Sequence, residues 1–472
     1  MRIARPALTS LALALAAVNT AHALDLSEAY AKAQTNDPRW SAARNTYLAD
    51  DATSDVARAG LLPSLVASGS LSQNEFERDT PIAGTSSVDY KNTTYGAKLT
   101  QPLFNADAWY AYQSAKAVGT QAEATYRSAE QDLALRVSQA YFAVLSAQET
   151  LAYAEAEEAA LARQLDQAQQ RFDVGLIAIT DVLEARASFD GSRANRILAE
   201  ANVSTAQETL STIIGEAPGK LAALKPDTPM VKPVPADPEE WVKLARERNP
   251  DIKAAEESYQ SARAATKRSR SGYLPVVNAY ASYQDLKNDT DNPVFVASLT
   301  NQNGSTTAYG LEANWAIFSG GGTYASSKQA NYRAAAAQDN VVGTEKLVIN
   351  NTRTAFLNVS ADSYRVDARK QAVASSESSL AATQAGYEVG TRNIVDVLLA
   401  QRNMYAAKRD YASARYDYVI NTLKLKAASG QLSEVDIKEL NGWLDPNASI
   451  VSAPEKAVED IPATPAKPAK KR

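Results

Sequence analysis

The chain is one unit written twice. Pro38, Gly60, Leu62 and Pro63 recur as Pro250, Gly272, Leu274 and Pro275, a shift of 212 residues. Tyr95-Gly96 and Phe104 recur as Tyr309-Gly310 and Phe318, a shift of 214. Val174-Gly175 and Asp181-Val182-Leu183 recur as Val389-Gly390 and Asp396-Val397-Leu398, a shift of 215, and Gly215 recurs as Gly430. So small a drift over most of the chain marks a tandem duplication. Two like halves are expected, not the roughly three unrelated domains that 472 residues would suggest by length alone. Proline marks the joints: 11 of the 19 prolines fall in Pro218–Pro238 and Pro446–Pro468. The first stretch reads as the connector between halves and the second as a disordered tail.

Residues 1–23 stand apart. Arg2 and Arg5 precede the apolar run Leu8–Val18, and Ala21-His22-Ala23 offers small residues at a cleavage position. This is the order of a secretory signal. Its removal leaves 47 basic against 54 acidic residues, a net charge of −7, and takes away the only His. With no Cys either, a disulfide, a thiolate nucleophile, an imidazole base and a His/Cys metal site are all excluded, and an N-terminal lipid anchor on Cys is not expected. No cofactor is expected, and an acidic chain gives no reason to expect nucleic acid. No later segment approaches 18 consecutive apolar residues, so an exported chain of this kind is either soluble or crosses a membrane as β-strands.

Each half has the same order: a helix (about 39–60, then 251–271), a Leu-Pro break, two strand-like segments around a polar loop, and two long helices joined by a Gly-containing turn. The long helices carry heptads. Val137, Val144, Leu151, Glu158, Leu165 and Phe172 fall at sevens, with Ala140, Ala147, Ala154, Leu161 and Ala168 at the companion positions and Glu158 the one exception. Val359, Val366, Val373, Leu380 and Tyr387 repeat the series 215 residues on. Val182, Phe189, Val203 and Leu210 repeat as Val397, Met404, Tyr418 and Leu425. This is a coiled-coil seam, its alanines allowing close approach. The strands alternate. Leu65, Ala67, Gly69 and Leu71 alternate with serines; Tyr95, Ala97 and Leu99 with Gly96, Lys98 and Thr100. Val277, Ala279, Ala281 and Tyr283 alternate with Asn278, Ser282 and Gln284, Tyr280 excepted, and Tyr309, Leu311, Ala313, Trp315 and Ile317 alternate with Gly310, Glu312 and Asn314. Apolar-out, polar-in alternation over such lengths is the pattern of a membrane barrel with a wet interior. Four strands cannot close a barrel, and lipid does not tolerate open edges. Two chains would give eight strands and three would give twelve; the polar interior favours the wider barrel.

The expected layout is α+β. The first repeat is 24–217 (strands about 64–73 and 90–103, helices about 106–172 and 181–214). A Pro-rich connector at 218–238 follows. The second repeat is 239–444 (strands about 276–286 and 306–318, helices about 321–387 and 394–429), with a tail at 445–472. Polar loops are expected at about 74–91 and 288–307. An enzyme would need a nucleophile motif, a phosphate loop or a metal cluster, and Gly320-Gly321-Gly322 reads only as a turn. The rival reading is a periplasmic coiled-coil adaptor or scaffold without a pore.

Together these features resemble the TolC family of outer-membrane channel proteins, in its non-acylated branch. The residues that carry the resemblance are Arg171-Phe172-Asp173-Val174-Gly175 with Ile179-Thr180-Asp181-Val182, and Gly386-Tyr387-Glu388-Val389-Gly390-Thr391-Arg392 with Ile394-Val395-Asp396-Val397. Asn249-Pro250, the Gly-Tyr-Leu-Pro turn and Trp315–Gly321 also fit. The resemblance implies a homotrimer whose twelve strands form an outer-membrane barrel continuous with a helical tunnel in the periplasm. It implies a periplasmic adaptor (membrane fusion) protein and an inner-membrane ABC, RND or MFS transporter as partners, outer-membrane lipid around the barrel, and no catalysis. It places the turns at Gly175 and Gly390 at the periplasmic tip. It assigns a gate latch to Thr180 and Asp181 of the first hairpin with Tyr387 and Arg392 of the second. The residues alone allow a second reading, with Thr180 and Asp181 capping a helix and Arg392 solvated. Asp396 matches one of the family's two constriction acids, which attract cations; Leu399 stands where the second would be and implies a more apolar constriction.

Overall fold

The computed structural model describes residues 23–80, 84–289 and 303–446. The export segment expected at 1–23 lies outside the described residues except for Ala23, and so does the tail expected at 445–472 beyond Pro446.

Side-chain caps and prolines set the helix starts. Asp25 caps α1 (Leu26–Asn36) by accepting from the Glu28 N–H at 2.7 Å. Asp37 caps α2 (Pro38–Ala59), accepting from the N–H groups of Arg39 and Trp40, with Pro38 at the first position, where no N–H is needed. The hairpin β1 (Ser64–Thr80) and β2 (Gly84–Phe104) comes next, then α3 (Ala106–Asp173) and α4 (Ile179–Ile214), then the short β3 (Ala223–Leu224). The second half repeats this as α5 (Pro238–Arg248), α6 (Pro250–Arg270), β4 (Val276–Asp289), β5 (Gly304–Asn314), α7 (Gly322–Glu388) and α8 (Ile394–Ala428). Short α9 (Glu434–Asn441) and β6 (Leu444–Asp445) follow. Asn249 opens α6 as Asp37 opens α2, so the duplication extends to the caps. At 68 residues, α3 spans about 100 Å.

The long strands form one antiparallel sheet in the order β1-β2-β4-β5. α2 leads into β1, β2 into α3, α6 into β4 and β5 into α7, and the helices pack in the same order, α2 on α3, α3 on α6, α6 on α7. A wall of four strands thus continues as a wall of four helices. The register aligns the alternation of all four strands. Leu65 pairs with Leu99, Leu99 with Ala281, Ala281 with Tyr309, and Ala67 with Ala97, Ala97 with Tyr283. Because side chains alternate with period two, the half of the sheet nearer the helices has one mainly apolar face, which turns charged only farther out at Asp285, Lys287 and Asp289, and the other face carries Ser68, Ser70, Thr94, Lys98, Asn278, Ser282 and Gln284.

The first hairpin runs further than expected. The stretch read as a polar loop, 74–91, is mostly paired strand from Asn74↔Tyr90 to Thr80↔Gly84. The alternation inverts there: Glu75, Glu77 and Asp89 fall on the face that is apolar lower down, and Phe76 and Tyr90 on the other, so one continuous pattern could not show it. β4 likewise reaches Asp289, while β5 ends at Asn314, not near 318. Trp315 turns out of the ladder and donates its ring N–H to the Tyr273 carbonyl at 3.1 Å. Most of the second loop expected, 288–307, lies outside the described residues.

The largest apolar cluster lies at mid-height, around Tyr141, Phe142 and Leu145 of α3, with Leu26 of α1, Leu210 of α4, Trp241 of α5, Val419 of α8 and Ile437 of α9. Here the 218–238 stretch is docked rather than free at its start. Leu221 and Ala222 are buried, β3 pairs with β6, and the Tyr141 hydroxyl sits 2.9 Å from the carbonyls of both Leu24 and Ala222. The heptad residues Val137, Val144, Leu161, Val182, Leu210, Val359, Val366, Val397, Tyr418 and Leu425 are all buried. No helix among the described residues is long and apolar enough to cross a membrane.

Candidate functional site

The two helical hairpins end in matched turns. α3 stops at Asp173, Gly175 adopts φ 77°, and the Leu176 N–H returns to the Arg171 carbonyl at 2.9 Å. α7 stops at Glu388, Gly390 adopts φ 81°, and the Thr391 N–H returns to the Gly386 carbonyl at 2.8 Å. Left-handed backbone of this kind favours glycine and ends a helix sharply. Arg392 is folded back over Gly386. A Cβ at that position would fall 2.8 Å from the Arg392 Cγ.

The returning helices start differently. α4 has Ala178 at its N-cap, with no side-chain cap. α8 starts with a reciprocal box: Asn393 Oδ1 accepts from the Asp396 N–H at 2.8 Å, and Asp396 Oδ2 accepts from the Asn393 N–H at 3.4 Å. Thr180 and Asp181 therefore do not cap α4, and side-chain capping at the tip is found at α8.

An apolar cluster joins the hairpins just above the turns. Leu161, Ala168, Val182, Ala185, Ile394 and Leu398 form it, with Phe172, Ile177 and Tyr387 packed against them. Tyr387 reaches across to the first hairpin, where the Arg171 guanidinium lies over its ring at 5.0 Å. Its hydroxyl is buried and has no hydrogen-bond partner among the described residues. Arg392 is exposed and lies 3.9 Å from Asp396, its neighbour one turn on. Thr180 is exposed and Asp181 half-exposed; among the described residues no hydrogen bond or ion pair joins either to Tyr387 or Arg392. Of the four expected latch residues, the structure packs Tyr387 against the apolar cluster and leaves Thr180, Asp181 and Arg392 outside it, with no bond among the described residues from the first pair to the second. Leu399 is exposed on α8, three residues beyond Asp396.

Two ion pairs above the tip escaped sequence reading. Glu158, the heptad exception, takes Arg196 of α4 at 2.6 Å and ties the first hairpin together. Glu157, next to it and only 3% exposed, takes Arg409 of α8 at 2.7 Å and ties the two hairpins to each other. Higher still, Tyr153 lies 3.3 Å from the buried Glu149; burial, and then the charge of Glu149, push its phenol up to about 12. The Tyr416 phenol is raised by the same two causes. The odd residue in the heptad was the one available signal for this layer, because a carboxylate in an apolar seam requires a partner.

Comparison with known proteins agrees with this geometry. The family described as "Outer membrane efflux protein" matches residues 10–216 and 241–431, both halves of the duplication. Outer membrane protein TolC of Vibrio cholerae is 34% identical over 421 residues, covering 89% of this chain and 94% of that protein. The alkaline protease secretion protein AprF of Pseudomonas aeruginosa is 29% identical, covering 90% or nearly so of each (89% and 87%). Among solved structures, the outer membrane protein VceC of Vibrio cholerae superposes with a TM-score of 0.73 at 17% identity, covering 86% of this chain and 96% of that one, which shows a shared fold. The chain belongs to the outer membrane efflux protein family and is an exit duct of the outer membrane, with its helical part in the periplasm.

Proposed function

We propose that three copies of this chain close into a twelve-stranded barrel above a continuous helical tunnel. The observation that carries this is the sheet: four strands share one mainly apolar face, and among the described residues its two outer strands, β1 and β5, have no partner on their outer edges. The helical wall has the same need. Its outer members expose large apolar side chains, Leu48 and Val56 on α2 and Tyr324, Tyr332 and Leu347 on α7. An open edge facing a different open edge makes a head-to-tail contact, which closes only as a ring. Similarity to AprF supports type I secretion of proteins as a cargo route alongside efflux of small molecules.

The tip is the gate in this reading. Thr180 and Asp181 accept from Tyr387 and Arg392, with the pairing made between hairpins that face each other in the trimer. The exposed side chains of Thr180 and Arg392, free to meet a neighbouring copy, support this. Each exposed link is worth about 1 kcal/mol, so docking of a periplasmic adaptor and its inner-membrane transporter, of the ABC, RND or MFS class, suffices to part them. Three Asp396 carboxylates around the axis attract cations, and three Leu399 side chains narrow the same level. Cross-linking in intact cells, followed by identification of the captured inner-membrane protein, tests the partner. Capture of soluble periplasmic proteins alone would contradict it.

A further inference from the structure

The lumen face of the sheet holds one cluster that the duct reading leaves unused. Where all four strands pair, its only charged residues among those described are Lys98 on β2 and Glu312 on β5. Tyr280 stands between them on β4, the one bulky aromatic that breaks the small-polar pattern of that face. Lys98 Nζ lies 5.3 Å from the centroid of the Tyr280 ring and 4.0 Å from Glu312 Oε2. The ring lies flat along Gly310, its partner in the ladder; a Cβ there would fall 3.4–3.6 Å from three Tyr280 ring and hydroxyl atoms. Glycine therefore leaves the ring lying along the wall, under the ammonium. Both charged groups remain about half exposed, at 53% and 54%.

We propose that Lys98, Tyr280 and Glu312 form a charge-balanced solute contact on the barrel's lumen wall. A departing solute with an anionic group meets Lys98, and one with a cationic group meets Glu312 and the Tyr280 ring face. Because the two charges cancel, the barrel passes both classes, and sorting by charge is left to the tip. This rests on the barrel reading above. Twelve strands about 4.8 Å apart and tilted about 40° give a wall radius of about 12 Å, close to the screening length of about 10 Å in 0.1 M salt. Each site therefore acts on solutes near its own stretch of wall.

The chain has no Cys, so single engineered thiols report cleanly. Lys98→Cys, Glu312→Cys and Ser70→Cys are made, and intact cells receive membrane-impermeant cationic or anionic methanethiosulfonates. Ser70 lies on the same face and pairs with Thr94, four residues (about 13 Å) along β2 from Lys98. Relative to Ser70→Cys, Glu312→Cys should favour the anionic reagent by about fivefold, since Lys98 is left alone, and Lys98→Cys should favour the cationic one by about fivefold. In the Glu312→Cys background, Tyr280→Ala should lower that preference and Tyr280→Phe should keep it; equal preferences would remove Tyr280 from the site. If Ser70→Cys reacts and all three thiols show the same preference, the charge-balanced contact is overturned and the barrel stands. If none of the three reacts from outside, the barrel reading falls and the contact with it. A merely structural pair would lower trimer stability without changing reagent preference.

Discussion

Arg409→Ala should loosen the two hairpins from each other. Glu157 is 3% exposed and its carboxylate meets Arg409 at 2.7 Å, so truncation strands a buried negative charge. Losing one member of a buried pair typically costs about 3–5 kcal/mol. Arg409 is 27% exposed, so water reaches the pair and the lower figure of about 2–3 kcal/mol is the better guide. Parting α3 from α8 hydrates Glu157 and relieves that cost. The equilibrium between packed and parted hairpins should then move by about 30- to 160-fold. The measurements are single-channel conductance in planar bilayers and the denaturant midpoint of the detergent-solubilised protein. Conductance should rise and the midpoint should fall. The double variant Glu157→Gln with Arg409→Gln, which leaves no charge behind, should recover most of both. Arg196→Ala is the contrast: Glu158 is 20% exposed and its pair lies within the first hairpin. That change should cost less and leave conductance near its starting value. Equal effects of the two Ala variants on conductance, or none from Arg409→Ala, would refute the inter-hairpin tie.

Other outcomes follow from the same geometry. Tyr387→Phe with Arg392→Ser should raise conductance; an unchanged value would remove those residues from the gate. Asp396→Asn keeps an acceptor for the Asn393 N–H but removes the charge, so cation preference in reversal-potential measurements should weaken while stability changes by less than about 1 kcal/mol. Retained preference would reject the constriction role. Raising pH should leave the helical tunnel intact to about pH 10, the ordinary phenol value, and weaken it from there to about 12. The fold raises the phenols of Tyr153 and Tyr416 and so favours their neutral forms. Their contribution is complete below the unfolded value and is lost as pH climbs through the folded ones. Loss of far-ultraviolet helical circular dichroism between pH 7 and 9 would contradict this.

Much of the fold was legible because duplication checks itself: a break at Leu62-Pro63 gains weight when Leu274-Pro275 repeats it. The limits of α3 and α7 fell within a residue of expectation, since Gly175 and Gly390 end them by backbone geometry alone. The outer parts of β1 and β2 were hidden because the alternation inverts there, with Phe76 and Tyr90 on one face and Glu75, Glu77 and Asp89 on the other. α1 and α9, only 11 and 8 residues long and lying beside the export segment and the tail, are too short to show a helical period. The tip was legible only in part. Its turns are local, but the stacking of Arg171 on Tyr387 joins residues 216 positions apart, which no spacing rule reaches. Glu158 and Tyr280 both stood out as breaks in a period. Each takes its meaning from a partner on another strand or helix, Arg196 in one case and Lys98 with Gly310 in the other.

The most direct measurement is the protein mass of the detergent-solubilised particle by native mass spectrometry, with detergent stripped in the gas phase. Three chains per particle, losing their β-structure when detergent is withdrawn before analysis, is the expected result. A single chain that keeps its β-structure in plain buffer would mean that β1 and β5 need no neighbour, and the duct built on their open edges would have to be abandoned.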